Sequence, residues 1–145
     1  MINAVWTTDL NAQTYLNAMN IRYEVFVNEQ NVPEDVEIDN LEDKSHHLVL
    51  YEEDQPIGTA RIYHRGDGIY KIQRVAVLKE FRNLGFGADL IRECERKIQE
   101  LGGTKITLGA QIHALSFYEK LGYQADGPEF MDAGIPHREM TKKLI

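Results

Sequence analysis

The chain reads as a mixed α/β fold, α+β in its segregation: a largely antiparallel central sheet flanked by helices on both faces. Three observations lead there. Strand-like and helical runs follow one another as strand, helix, three strands, helix, strand, helix, strands. The three middle strands are joined by tight polar turns, which makes them an antiparallel meander. A helix then separates the third of these from the next strand, and that strand–helix–strand unit supplies one parallel crossover. A chain of 145 residues suits one domain over 1–145 and can bury a core without disulfides or metal.

AVWT (4–7) is a short strand. Asp9 follows as a helix cap, its carboxylate accepting orphan backbone N–H groups. Tyr15, Leu16, Met19, Tyr23 and Phe26 recur at helical spacing and predict a core-facing helix to about Val27. NEQNVPEDVEIDNLEDKS (28–45) is acidic, contains a proline and reads as a long loop with one helical turn. HHLVLYEED and PIGTARIYHR are two strands joined at Asp54–Gln55, and GDG (66–68) turns the chain into a third, IYKIQRVAVL. Leu84, Gly87, Ile91, Cys94, Ile98 and Leu101 step by three and four, as one buried helical stripe does. Gly102 suits a left-handed cap at its end. KITLGA (105–110) is a strand, HALSFYEKLG (113–122) a helix ended by Gly122. YQADG, an acidic-aromatic loop and PHREMTKKL complete the chain as strand, loop and strand.

Composition narrows the function. Net charge is −7, and no long Lys/Arg cluster offers a footprint for nucleic acid. No apolar run reaches membrane-spanning length, and the first residues lack the pattern of a signal peptide. A single cysteine, Cys94, excludes an internal disulfide and fits a reducing, cytoplasmic setting. Cys94 lies on the apolar stripe and reads as a small buried hydrophobe. His46, His47, His64, His113 and His137 form no HxxxH or HExxH pair, so no metal is expected. No GxSxG element is present for serine hydrolysis.

The stretch FRNLGFGADL (81–90) carries the main functional signal. Glycine costs a helix roughly 1 kcal/mol against alanine, yet Gly85 and Gly87 sit at the mouth of one. A helix start exposes unpaired N–H groups and a positive dipole end, which together suit phosphate. Glycines there let a bulky anion approach the backbone, and Arg82 adds a cation. The same glycines also serve close helix packing, and both readings stand. The dinucleotide fingerprint GxGxxG fails at Leu90, and GxxxxGK followed by Ser or Thr is absent.

Around these residues the chain resembles the GNAT N-acetyltransferase superfamily. RNLGFG matches that family's Arg/Gln-x-x-Gly-x-Gly/Ala signature for acetyl-CoA, and it follows a strand ending RVAV (74–77). SFYEKLGY (116–123) matches its FYxKxGF element. RYEVFVNEQ (22–30), the acids around Glu37–Asp39 and the ending GIPHREM (134–140) are similar to the ElaA-like branch.

The resemblance implies acetyl transfer from acetyl-CoA to a primary amine by direct attack. It implies strands splayed apart near the thioester. Backbone N–H groups of Arg82, Asn83, Leu84, Gly85, Phe86, Gly87 and Ala88 would hold the pyrophosphate. Val75, Ala76 and Val77 would bond the pantetheine arm, and the Val75 N–H would polarise the acetyl carbonyl. Ser116, Phe117 and Tyr118 complete the cofactor set, with Tyr118 donating a proton to the leaving thiolate; Tyr123 competes for that role but better suits packing. Many family members carry a glutamate before the VAV element, whereas Lys71-Ile72-Gln73-Arg74 stands here. The base is therefore open, with Glu29 and His47 as candidates. Tyr23, Phe26, Glu29, Phe130 and His137 are the expected acceptor-side residues. The carboxylates of 34–43 either attract a cationic amine or form a solvated surface. The acceptor is a small-molecule or peptide amine, and a homodimer is implied by the superfamily. The alternative reading is a catalytically weak CoA-binding sensor, kept open by the missing strand glutamate.

Overall fold

The computed structural model describes residues 1–144; Ile145, the last residue of the expected domain, lies outside them. Seven strands form one sheet: β1 (Ile2–Thr7), β2 (Ser45–Glu52), β3 (Gln55–Gly66), β4 (Ile69–Val77), β5 (Lys105–Gln111), β6 (Gln124–Asp132) and β7 (Ile135–Lys143). Their spatial order is β1-β2-β3-β4-β5-β7-β6. Every pair is antiparallel except β4 with β5, which run parallel around the expected crossover. Four helices pack on this sheet: α1 (Gln13–Arg22), α2 (Glu34–Glu37), α3 (Phe86–Glu100) and α4 (Leu115–Lys120). Among the described residues no helix is long and apolar enough to cross a membrane.

The central strands are buried on both faces, while the edge strands β1 and β6 are largely exposed, and strand alternation sorts the central residues between two cores. On β2, Leu48 and Leu50 join the larger cluster with Leu90, Ile91, Cys94 and Ile98 of α3, while Val49 points the other way to Ala18, Ile21 and Val25. The stripe on α3 is therefore largely as expected. Its two ends depart from the pattern: Leu84 is 64% exposed and Leu101 is partly exposed, since both lie beyond the helix proper.

The first helix buries a different face from the expected one. Leu16 and Tyr23 are exposed, and Ala18, Ile21, Arg22 and Val25 face the sheet. Ala18 is small enough to bring the helix close, which places the larger apolar residues at its margins. Asp9 does not cap α1. Its carboxylate accepts from the Asn11 N–H at 2.9 Å in a turn before the helix, and Ala12 holds the cap position without a side-chain bond. After Arg22 the chain continues as a π-helical stretch, Tyr23–Glu29, closed by the Gln30 N–H to Val25 carbonyl bond at 3.2 Å. The wider turn redirects the backbone, as π-bulges do near functional sites. At the other end of the chain, the expected loop before the last strand is itself strand: β6 runs to Asp132 with a bulge between Asp126 and Phe130, and Ala133–Gly134 turn it into β7.

The acidic 28–45 segment is only partly a solvated surface: Glu34, Asp35 and Asp43 are exposed, but three of its acids turn inward. Glu37 and Glu42 are buried and Asp39 half-buried, facing three arginines from three other elements. Arg22 of α1 gives its Nε to Glu37 Oε1 at 2.6 Å and its Nη1 to Glu42 Oε1 at 2.8 Å. Arg61 of β3 is bidentate to Asp39 (2.9 and 3.0 Å) and reaches Glu42 Oε2 at 2.9 Å. Arg74 of β4 donates to the Glu37 carbonyl (3.0 and 3.2 Å) and to Asp39 Oδ2 at 3.3 Å. Three cations against three anions leave the cluster neutral, and the forks satisfy most of the lone pairs, the condition under which buried ions persist.

Removing one partner strands the rest. Glu42→Gln leaves Arg22 and Arg61 short of an anion and is expected to cost about 3–5 kcal/mol, read as a lower urea midpoint at unchanged slope. Burial opposes the charge on Asp39, but the Arg61 bonds outweigh it and bring the carboxyl down to about 2. A depressed folded-state value stabilises above the ordinary carboxylate range, near 4, and that contribution is lost as pH falls through about 2. Thermal unfolding scans between pH 5 and 2 should show a steeper acid loss in the native protein than in Asp39→Asn.

Candidate active site

The functional cleft starts from a break in the sheet. β4 and β5 pair only from Ile69–Lys105 to Ile72–Leu108; beyond that, β4 continues to Val77 and β5 to Gln111 without pairing. At the same point β4 bulges against β3. Gln73 faces Arg61 and Ala76 faces Thr59, so Arg74 and Val75 together oppose Ala60 alone. Arg74 takes a left-handed backbone, φ 57°. A bulge of one residue reverses the side-chain alternation. Before it, Tyr70 and Ile72 face the larger core; after it Val75 and Val77 do, and Ala76 faces the smaller one. The backbone of Arg74 and Val75 thus lies outside both ladders, beside a cavity of about 420 Å³.

The start of α3 lies past the end of β4. Gly85 is its cap at φ 89°, and Asn83 is also left-handed, φ 64°. The first bond of the helix runs from the Asp89 N–H to the Gly85 carbonyl at 3.2 Å, so Phe86, Gly87 and Ala88 present N–H groups with no acceptor within the helix. A Cβ at Gly85 would meet nothing within 4 Å, so the approach is open and the glycine answers to its backbone angle. A Cβ at Gly87 would stand 3.3 Å from Phe117 Cζ of α4, so Gly87 serves close helix packing. The two readings of the glycines therefore divide between them. These unpaired donors, beside the open approach at Gly85, fit a pyrophosphate.

Arg82 is not free to join them with its side chain. Its Nε donates to the Val77 carbonyl at 2.9 Å and its two Nη groups clamp Glu29 at 2.8 and 2.9 Å. Glu29 is thereby corrected as a base and acceptor-side candidate. It lies off the cleft, and the Arg82 bonds hold its carboxyl below the usual range. His47 is corrected likewise: it is buried away from the cleft, its Nε2 donates to the Glu42 carbonyl at 2.8 Å, and burial holds it low. Tyr23 is exposed and also does not line the cleft. Gln73, which cannot act as a base, accepts from Arg61 at 2.7 Å, a structural duty.

Phe26, Val75, Ala76, Val77, Tyr118 and His137 do meet in the cleft, with Phe130 at its mouth. Tyr118 is 8% exposed, and its hydroxyl makes no hydrogen bond among the described residues. Burial pushes this phenol well above its ordinary value, so it holds its proton. Among the described residues no fully buried polar side-chain atom lacks a partner. The unbonded Tyr118 hydroxyl must therefore reach the cleft. Tyr123, its competitor, is committed elsewhere: its hydroxyl bonds Glu95 at 2.7 Å, and Lys142 holds the same carboxylate. Ser116 is exposed on α4, and Phe117 packs under Gly87.

Several cleft residues were not anticipated, Arg74, His113 and Gly109 among them. Arg74 and His113 line it without any distinguishing sequence signal. Gly109 had one, since an isolated glycine inside a strand flags a close approach. Its missing Cβ would lie 3.3 Å from Phe130 Cζ and 3.9 Å from His137 Cδ2, so the glycine lets both rings lean across β5.

Fold and comparison place the chain among the acetyltransferases. It belongs to the GNAT family: the model of the acetyltransferase (GNAT) domain matches residues 7–144. YjcF of Bacillus subtilis, an uncharacterized N-acetyltransferase, is 41% identical over 133 residues, 91% of this chain and 94% of that protein. An acyl-CoA N-acyltransferase from Pseudomonas aeruginosa superposes with TM-score 0.88 at 27% identity, over 98% of this chain and 99% of that one. Escherichia coli ElaA does so with TM-score 0.86 at 25% identity and the same coverage.

The two glycines separate in mutagenesis. Gly85→Ala should cost about 1–2 kcal/mol from backbone angle alone, and Gly85→Asn less, because asparagine tolerates the left-handed region. Gly87→Ala should instead be relieved by trimming Phe117. Urea unfolding of the four variants, including Gly87→Ala/Phe117→Leu, checks both.

Proposed function

We propose that this protein transfers an acetyl group from acetyl-CoA to a primary amine on a small molecule or peptide, by direct attack. The observation that carries the reading is the opening between β4 and β5, with bare helix-start amides beyond one end and a protonated phenol inside.

Acetyl-CoA supplies an activated carbonyl and a sulfur leaving group. The N–H groups of Phe86, Gly87 and Ala88, with the turn 82–85, bind the pyrophosphate through backbone alone. Val75 to Val77, freed from β5, offer a strand edge to the amides of the pantetheine arm, with the Val77 carbonyl already accepting from Arg82 Nε. The Val75 N–H, beside the bulge, polarises the acetyl oxygen; a preorganised donor of this kind is often the largest catalytic contribution. Tyr118 delivers its proton to the departing sulfur. Its raised value suits a donor, because the phenol is fully loaded at neutral pH.

The acceptor enters on the side of Phe26, Phe130 and His137. Of the carboxylates in the 34–43 segment, Glu37, Asp39 and Glu42 do not recruit it, since the arginine cluster neutralises them.

Two measurements test the reading. Acetyl-CoA at a hundred times its dissociation constant should raise stability by about 2.7 kcal/mol, seen as a thermal shift. Thiol release from acetyl-CoA should then depend on an added amine from a panel of primary amines. Tyr118→Phe should lower kcat by roughly a hundredfold while leaving acetyl-CoA affinity in place. Binding without amine-dependent thiol release would instead favour a CoA-responsive sensor, and no thermal shift would remove both readings.

A further inference from the structure

We infer that His137 is the proton acceptor of the acetyl-transfer site, taking the proton of the attacking amine on Nε2. The inference rests on the acetyltransferase reading and fills the place left open by Gln73.

The geometry fixes the ring. His137 Nδ1 lies 2.7 Å from the Ile135 carbonyl oxygen. A carbonyl only accepts, so Nδ1 carries the hydrogen, and in the neutral ring Nε2 carries the lone pair. Phe130 stacks on the imidazole, centroids 5.7 Å apart at 26°, and Gly109 clears the space in which the two rings lie over β5. The ring is thus held by a hydrogen bond at one nitrogen and a stacked face.

Its other nitrogen is free and reachable. Nε2 makes no hydrogen bond among the described residues, though His137 is only 8% exposed. No fully buried side-chain nitrogen or oxygen there lacks a partner, so Nε2 opens onto the cleft that His137 shares with Tyr118. The other polar lining groups are less suited. Glu37 is consumed by Arg22 and Arg74, while His113 and Asp132 are exposed and make no side-chain hydrogen bond that orients them.

The proton balance closes within the site. The amine nitrogen bonds to the acetyl carbon and gives one proton to His137 Nε2. The carbon–sulfur bond breaks with its electron pair on sulfur, and Tyr118 protonates that sulfur. The proton on His137 then passes through water to the Tyr118 phenolate, which restores both groups.

The first test needs no substrate. Long-range ¹⁵N–¹H spectra of the free protein should show His137 with its hydrogen on Nδ1 when neutral; an Nε2–H form overturns the inference. The second uses the amine selected by the thiol-release panel, or water as acceptor if none is selected. His137→Gln should lower kcat at least a hundredfold, with acetyl-CoA affinity by calorimetry within threefold of wild type. In His137→Ala, added imidazole should restore part of the rate, which a merely structural role would not permit. If the wild type binds acetyl-CoA and releases thiol while His137→Gln keeps a kcat within threefold, the base assignment falls and the acetyltransferase reading stands. If the wild type does neither, both fall.

Discussion

Six ionised side chains from four parts of the chain hold the 28–45 segment in place. Arg22, Arg61 and Arg74 meet Glu37, Asp39 and Glu42 at distances of 2.6–3.3 Å, with only Arg74 and Asp39 partly open to water. Buried ion pairs are weak evidence for stability in themselves, because desolvation opposes them. Here their effect is geometric. The 28–45 segment has few apolar anchors besides Val32, and its carboxylates, with the Glu37 and Glu42 carbonyls, pin it against the sheet. Arg74 is held by the same loop, and its left-handed backbone is the point at which β4 leaves the regular ladder. Such a conformation persists only where the surroundings determine it. The charge cluster thus supports the bulge, and the bulge exposes the strand edge beside the cleft.

Much of this architecture could be read from residue pattern. The meander from Ser45 to Val77, the α3 stripe at Ile91, Cys94 and Ile98, and the parallel crossover all follow from local periodicity. What escaped was tertiary. The buried face of α1 is set by Ala18 and by the arginine at position 22, and an arginine scores against burial in any pattern of apolar spacing. The acid-rich segment looked like a solvated loop for the same reason: its partners are distant in sequence. The run from Asp126 to Phe130 carries glycine and proline, which speak for a loop, yet a bulge absorbs them into β6.

The site divides along similar lines. Gly85, Gly87 and Tyr118 stand in contiguous stretches, with the glycines at the helix start and Tyr118 in the cleft. Residues that depend on pairing across the molecule were less legible. Glu29 looks available in the sequence, but Arg82 holds it, and His47 is likewise committed to the Glu42 carbonyl. His137 illustrates the opposite case. Its position was legible as a lining residue, but the tautomer that gives it a chemical role depends on a carbonyl only two residues away, a detail of strand geometry that composition does not encode.

The half-strand 75–77 has a consequence for how such a protein drifts. Its offered groups are peptide N–H and C=O, common to every residue except proline at nitrogen. Side chains there answer to core packing alone, so Val75 and Val77 can exchange with other apolar residues of similar volume without altering what the edge presents. Length is another matter. Loss of a single residue at 74 would let the strand pair regularly with β3, with 75–77 keeping their faces, and would erase the bulge beside the cleft. Substitutions in this segment should therefore be common among functional variants and deletions absent, a signature of a groove made from chain count more than from chemistry.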